Sequence, residues 1–348
     1  MEQVNHLAID HLGIGTEKGA YRLDHTGGQW SVSGPLFPGW KVSALSTAPD
    51  GTNLAAIGSN WFGASVHRSN DFENWTQVEN GPKYDGDNPL GLKLNQIWTF
   101  HNAGDRVYAG VDQAGLFYSD DQGLTWEGVP AINEWPGREH WSPGFGGLTA
   151  HRILSQGDRL WVGISAVGVF RSEDCGESFV RADQGVIPAS EEGEPAWCVH
   201  SLVADRDDPN RIWRQDHRGV YRTTDGGDKW EQIENGLPAS FGFAIGRNQE
   251  TGTLFVAPIT ADENRVPVNG HFSVFRSQND GDSWEEAGVG WPQEGHFNGA
   301  LRNAMVVDNQ GGVAIGTTGG SVFVTSDNGD HWEQLPVSLP RILCVATI

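Results

Sequence analysis

The segment Ser119-Asp-Asp-Gln-Gly-Leu-Thr-Trp126 recurs in degenerate form from one end of the chain to the other, and that recurrence narrows the choice of fold more than any other property. Each residue type has a local role. An aspartate carboxylate accepts hydrogen bonds from backbone N–H groups just downstream, and a glycine supplies a left-handed corner. The Ser or Thr adds a side-chain bond to the backbone, and the Trp carries enough apolar area to hold the corner against a neighbouring layer. Together they make a self-contained corner between two strands.

The aromatics that close the copies are Trp30, Trp75, Trp126, Phe179, Trp230, Trp284 and Trp332, at separations of 45, 51, 53, 51, 54 and 48 residues. The first two copies are worn: Leu23 and His25 stand where Ser and Asp belong, and the second copy is one residue short. Between corners lie short runs such as Val107–Val111 and Leu160–Ile164, then Gly115-Leu-Phe-Tyr118 and Gly168-Val-Phe-Arg171, rich in β-branched and aromatic residues and bounded by Gly and Asp. Several strands per unit at a period of about 40–50 residues predict a propeller. The expected architecture is all-β, a seven-bladed β-propeller forming one domain over 1–348. Its strands are lettered a to d outwards from the axis, and the repeated corner joins c to d. Before the first corner there is room only for strands b and c, near Leu7–Ile14 and Gly19–Leu23. The C-terminal segment Arg341–Ile348 is therefore expected to complete the first blade, pairing edges otherwise left open.

Composition excludes some partners. A formal charge of −22 opposes nucleic acid and anionic membrane surfaces. Cys175, Cys198 and Cys344 are scattered, without metal-type spacing, which favours a reducing compartment. The N-terminus lacks a secretory pattern and no apolar run is long enough to span a bilayer, so a cytoplasmic location is expected.

The copies Ser119–Trp126, Ser172–Phe179, Thr223–Trp230, Ser277–Trp284 and Thr325–Trp332 resemble the Asp-box (bacterial neuraminidase repeat) β-propellers, and the layout is similar to small bacterial proteins described as sialidase-like or glycosyl hydrolases. The resemblance implies the fold; the class serves many functions, so it assigns no activity. A true sialidase is a poor match. Tyr21-Arg-Leu-Asp24 lacks the proline of that family's Arg-Ile-Pro motif, and no arginine triad with a Tyr/Glu pair is evident.

In a propeller the b–c loops and the d–a loops share one rim, and pockets form there at the mouth of the central channel. The a-strand segments align as Lys41–Leu45, Lys93–Ile97, Thr149–Ile153, Cys198–Leu202, Phe241–Ile245, Leu301–Met305 and Arg341–Val345. With period two, first and third residues face the channel. Lys41 and Lys93 then share one position, His151 and His200 another, and Asn95 and Asn303 add polar groups. The b–c loops supply Asn60, Trp61, Asp112, His217, Glu263 and Arg265, with His67 just beyond, and the insertion Arg138–Gly147 brings Trp141 as a wall.

Three chemistries suit this set. Lys41 and Lys93 would bind a small anion, with His151, His200 or His217 as general acid or base and Asp112 or Glu263 orienting it. A pair of carboxylates such as Asp112 and Glu263 would serve an inverting glycosidase. No cofactor is expected as resident; were a divalent metal bound, His151, His200 and His217 would hold it. The expected substrate is a small anionic or sugar-like molecule met by a hydrolase or lyase, with Asn60, Trp61, His67, Asn95, Trp141, Arg265 and Asn303 contacting it. The alternative is a scaffold that binds a protein partner.

Overall fold

The computed structural model describes residues 9–59, 61–144, 146–189, 197–261, 264–308 and 310–348. Seven four-stranded antiparallel sheets form a ring. In blade one the inner strand is the C-terminal segment Ile342–Thr347, followed outwards by His11–Thr16, Gly19–Thr26 and Gln29–Leu36. Leu12 pairs with Thr347 and Ile14 with Val345, which closes the ring as expected. Among the described residues, no helix is long and apolar enough to cross a membrane.

Side-chain and backbone bonds make each repeated corner. In the third blade Asp121 accepts from the Leu124 N–H at 3.0 Å, the Thr125 N–H at 2.8 Å, the Thr125 hydroxyl at 2.6 Å and the Ser119 hydroxyl at 2.8 Å. Gly123 has φ +88, and a Cβ there would lie 2.9 Å from the Leu54 side chain of blade two. Two of the corner aromatics also join blades. Trp230 Nε1–H donates to the Ala182 carbonyl and Trp284 Nε1–H to that of Ile233, each on the preceding blade, both at 2.8 Å. In the opposite direction, the fully buried Trp161 and Trp213 donate to the Gly226 and Asp280 carbonyls in the corners of the following blades. Apolar burial and directed bonds thus hold neighbouring sheets face to face.

The inner strands do not keep a simple period of two. Each of six carries an extra residue at one level: Ser43, Trp98, His151, His200, the Phe243–Ala244 pair and Leu343. Such bulges turn side chains away from the regular alternation. They also correct the alignment expected from sequence. The inner strand of blade three is Ile97–Ala103, so Lys41 corresponds to Gln96 rather than Lys93; that of blade seven is Met305–Val307, downstream of Leu301.

Two outcomes test the corners. Asp121→Ala removes four bonds and is expected to cost about 1–3 kcal/mol, read as a lower urea midpoint. The second concerns acid. Asp71 lies below the ordinary aspartate value of 3.8, first through the Asn74 N–H, and Asp174 does so first through the Ser178 hydroxyl. In Asp121, Asp225 and Asp327 burial pulls upwards, and the corner bonds outweigh it. A carboxylate depressed in the folded state contributes stability above its unfolded pKa and loses it as pH falls through the folded value. Stability is expected to hold to about pH 4 and decline below it, with a shallower decline in Asp121→Asn, measured by urea midpoints at each pH.

Candidate functional site: a cationic mouth with a thiol and imidazoles

The bulges gather side chains at one level of the channel. The Trp98 and His151 rings lie 4.9 Å apart, and those of His200 and Phe243 4.8 Å apart. Arg302, from the segment before the inner strand of blade seven, lays its guanidinium 4.5 Å from the Phe243 ring centre and 6.0 Å from that of Trp98. Arg265 adds a second guanidinium 5.5 Å from Phe243. Below them the Asn303 amide reaches across the axis and donates to the Trp98 carbonyl at 2.6 Å. Asn303 lines a lower cavity of about 440 Å³, and Trp98 lines an upper one of about 480 Å³, so this bond lies in the partition between the two.

The upper cavity opens beside blades two to four, among Lys41, Asn95, Trp98 and Asp112. Lys41 Nζ donates to the Gln96 side-chain oxygen at 3.3 Å. Asp112 accepts from the Asn95 N–H and side-chain amide, each at 2.9 Å, and from the Gln96 N–H at 3.1 Å. Burial nonetheless raises its pKa, because desolvation of the carboxylate outweighs those bonds. The blade-three insertion supplies a wall through Pro143, Gly146, Gly147 and Leu148. Gly146 passes close to Arg302: a Cβ there would lie 3.1 Å from the guanidinium, which would have to give by a few tenths of an ångström.

On the other side of that wall stand Cys198, His200 and His217. The Ser165 hydroxyl bridges, donating to the Gly147 carbonyl at 3.1 Å and lying 3.7 Å from Cys198 Sγ. His200 is 2 % exposed, and its Nδ1 sits 2.6 Å from the Gly242 carbonyl, which only accepts. The proton is therefore on Nδ1, leaving the Nε2 lone pair towards Cys198 Sγ at 3.5 Å. His151 repeats the arrangement, with Nδ1–H to the Val199 carbonyl at 3.3 Å and a buried Nε2 without a partner. Burial first, and then Arg302, hold both imidazoles well below the usual histidine range, so both are neutral near pH 7.

Arg302 is 8 % exposed. Burial lowers its pKa to about 10, with Cys198 opposing the shift and Arg265 adding to it. It is therefore still a cation at neutral pH. Among the described residues no carboxylate pairs with it, whereas the buried Arg214 is bracketed by Asp183 and Asp216.

The structure brings Lys41, Asn95, Asp112, His151, His200, His217, Arg265 and Asn303 to the channel level or its mouth. It takes others elsewhere. Lys93 is exposed, upstream of its strand, with its N–H on Gln113. His67 is half-buried on the third strand of blade two, 5.1 Å from Phe37. Trp141 packs on Phe170 at 5.5 Å and under Arg138, within the blade-three and blade-four core. Trp61 stands on the rim, 90 % exposed. Asn60 and Glu263 lie outside the described residues. Trp98 and Arg302 were not expected as site residues, and Cys198, first in its aligned segment and so turned to the channel, was given no role. Cys198 stood in an aligned segment beside His200, and only the bulge shows why it matters; Arg302 fell on the second position of its segment, which strict alternation turns outward.

No protein-family model matches the chain, and no curated protein matches it. Solved structures do. An ancestral GH74 enzyme superposes with a TM-score of 0.57 at 16% identity, over 84% of this chain and 38% of that one. The chain thus spans well under half of that enzyme's length. The virginiamycin B lyase of Staphylococcus aureus gives 0.55 at 12% identity, over 86% of this chain and 85% of the lyase. YCF48 bound to D1 peptide gives 0.54 at 9% identity, over 96% and 91%. At these identities the likeness shows the fold alone: glycoside hydrolases, a lyase and a peptide-bound propeller share it.

The tie across the axis is testable. Asn303→Leu leaves the Trp98 carbonyl without its donor and is expected to lower stability by about 1–3 kcal/mol in urea unfolding.

Proposed function

We propose that the upper mouth binds a small anionic substrate and that the protein acts on it as a hydrolase or lyase. The observation that supports this reading is Arg302, a nine-tenths buried guanidinium with no carboxylate partner among the described residues, in a chain of net charge −22. Burying a cation unpaired is costly, and an anion seated against it would offset that cost. A carboxylate, phosphate or sulfate group suits the guanidinium fork, with Lys41 and Arg265 as further positive charge at the mouth. The bare Nε2 of His151, held neutral by burial, would accept the proton of a substrate or water that reached it. Asp112, which accepts from the Asn95 amide at 2.9 Å, would orient that amide at the cavity wall.

The test is a panel of carboxylated sugars, lactones, phosphate esters and sulfate esters, followed by calorimetric binding and turnover. Arg302→Met is expected to weaken binding of any ligand found by about 10–100-fold, as befits a lost charge-assisted contact. His151→Gln is expected to lower kcat by about 100-fold with little change in affinity. Unchanged affinity in Arg302→Met would remove the basis of the reading.

A protein partner on the same rim is the second reading, favoured by Trp61 and Phe62, which are 90 % and 80 % exposed, with Trp40 5.7 Å from Phe62. Monomeric proteins rarely leave such aromatics grouped in solvent. In that case partner affinity would fall in Trp61→Ser with Phe62→Ser and be untouched by Arg302→Met.

A further inference from the structure

We propose that Cys198, His200 and His217 form a three-ligand site for a thiophilic divalent transition metal, zinc first, with the fourth position left for water or for the anion drawn to Arg302. One ligand atom from each of the three lies within 4.8 Å of the others. The inference rests on that cluster and not on the anion reading.

The distances fit the ion. Bonds of about 2.3 Å to sulfur and about 2.0 Å to nitrogen at a tetrahedral angle put the two ligand atoms about 3.5 Å apart. Cys198 Sγ and His200 Nε2 are 3.5 Å apart. The ligating atoms are also oriented from behind. The Gly242 carbonyl takes the His200 Nδ1–H at 2.6 Å, the outer contact that fixes the tautomer of a metal-bound imidazole and leaves Nε2 for the metal. The His217 N–H donates to the Cys198 carbonyl at 3.2 Å, clamping the b–c turn onto the bulged strand, and the His217 ring stands edge-on to Phe241 at 5.0 Å. Three side chains from one blade are thus held around one point, with Phe241 and Gly242 of the next blade fixing the two imidazoles.

Charge decides the type of ion. Arg302 lies close enough to Cys198 and His200 to oppose a bare dication, which disfavours hard ions such as magnesium that rely on oxygen ligands and local negative charge. A thiolate cancels one unit, and soft sulfur with two imidazoles selects zinc or its neighbours. On binding, the Cys198 S–H bond breaks, the electron pair stays on sulfur for the metal, and the proton leaves to solvent. A bound anion would then bridge between the metal and Arg302, with a second unit of charge cancelled. In the absence of metal the same atoms make a thiol–imidazole pair.

The experiment uses the full-length chain, with the metal alone as probe. Protein stripped with chelator, loaded with zinc and desalted is expected to retain about one equivalent. Cobalt loading is expected to give thiolate-to-cobalt absorption in the near ultraviolet and tetrahedral bands in the visible. Cys198→Ala and His217→Ala are each expected to weaken retention by more than about 100-fold, while His271→Ala, which removes a ring paired with Glu286 elsewhere on the protein, leaves it unchanged. If either variant fails to fold by circular dichroism, the wild-type thiols decide. Zinc should shield one thiol from a disulfide reagent while the exposed Cys175 still reacts, and chelator should restore it. No retained metal, a cobalt spectrum without the thiolate band, or equal thiol reactivity with and without zinc would each overturn the proposal. Arg302→Met separates the two readings, since it should lose anion binding and keep the metal.

Discussion

Ring closure is the constraint on which the rest of the structure depends. The antiparallel pairing of Ile342–Thr347 with His11–Thr16 makes the two ends of the chain neighbours in one sheet and leaves no open inner edge in blade one. Only in a closed ring do seven inner strands face one axis, and only there do bulges at one level bring Trp98, His151, His200 and Phe243 into a common layer. The corners serve this closure from outside. Two of their aromatics, Trp230 and Trp284, bond to the preceding blade, so the angle between those sheets is set by directed contacts as well as by apolar packing.

At the mouth, local and overall electrostatics have opposite signs. The chain carries −22, yet Arg302 and Arg265 neighbour each other at the channel level and Lys41 lines the upper cavity, with Asp112 tied to Asn95 and Gln96. Screening limits the repulsion from outer carboxylates to roughly 10 Å at 0.1 M salt, while buried guanidinium groups are screened far less. A small anion that reaches the pocket therefore feels mainly the cations, and a large polyanion feels the whole surface. That difference favours small ligands over nucleic acid on this rim.

Much of the fold was legible because its signals are local. A corner needs one carboxylate, one glycine and one large aromatic within eight residues, and their spacing survives even where Asn279 or Phe179 replaces the commoner residue. Strand completion by the C-terminus followed from counting strands before the first corner. The site was less legible because it depends on register. A bulge inserts one residue without any required residue type, so period-two alternation failed at the level where it was applied to find channel residues. His151 and His200 were found because they are themselves the bulged residues. Lys93 was misplaced because the segment before blade three runs on irregularly to Gln96, and Trp98 was missed for the same reason. Arg302 belongs to a turn ahead of a shortened strand, Met305–Val307, where alternation carries no information. Cys198 was set aside as a metal ligand on cysteine spacing alone, although His200 and His217, which stand beside it, come from a bulge and a turn of the same blade.

The bond from the Asn303 amide to the Trp98 carbonyl gives the propeller a mechanical character that its topology alone lacks. A ring of sheets joined only rim to rim resembles a barrel of staves without a brace, free to ovalise as neighbouring blades rock. A strut between blades three and seven fixes one diameter. Distortion of the ring must then stretch that strut or hinge about it. The strut also stands in the partition between the upper and lower cavities, so the brace and the dividing wall are one feature.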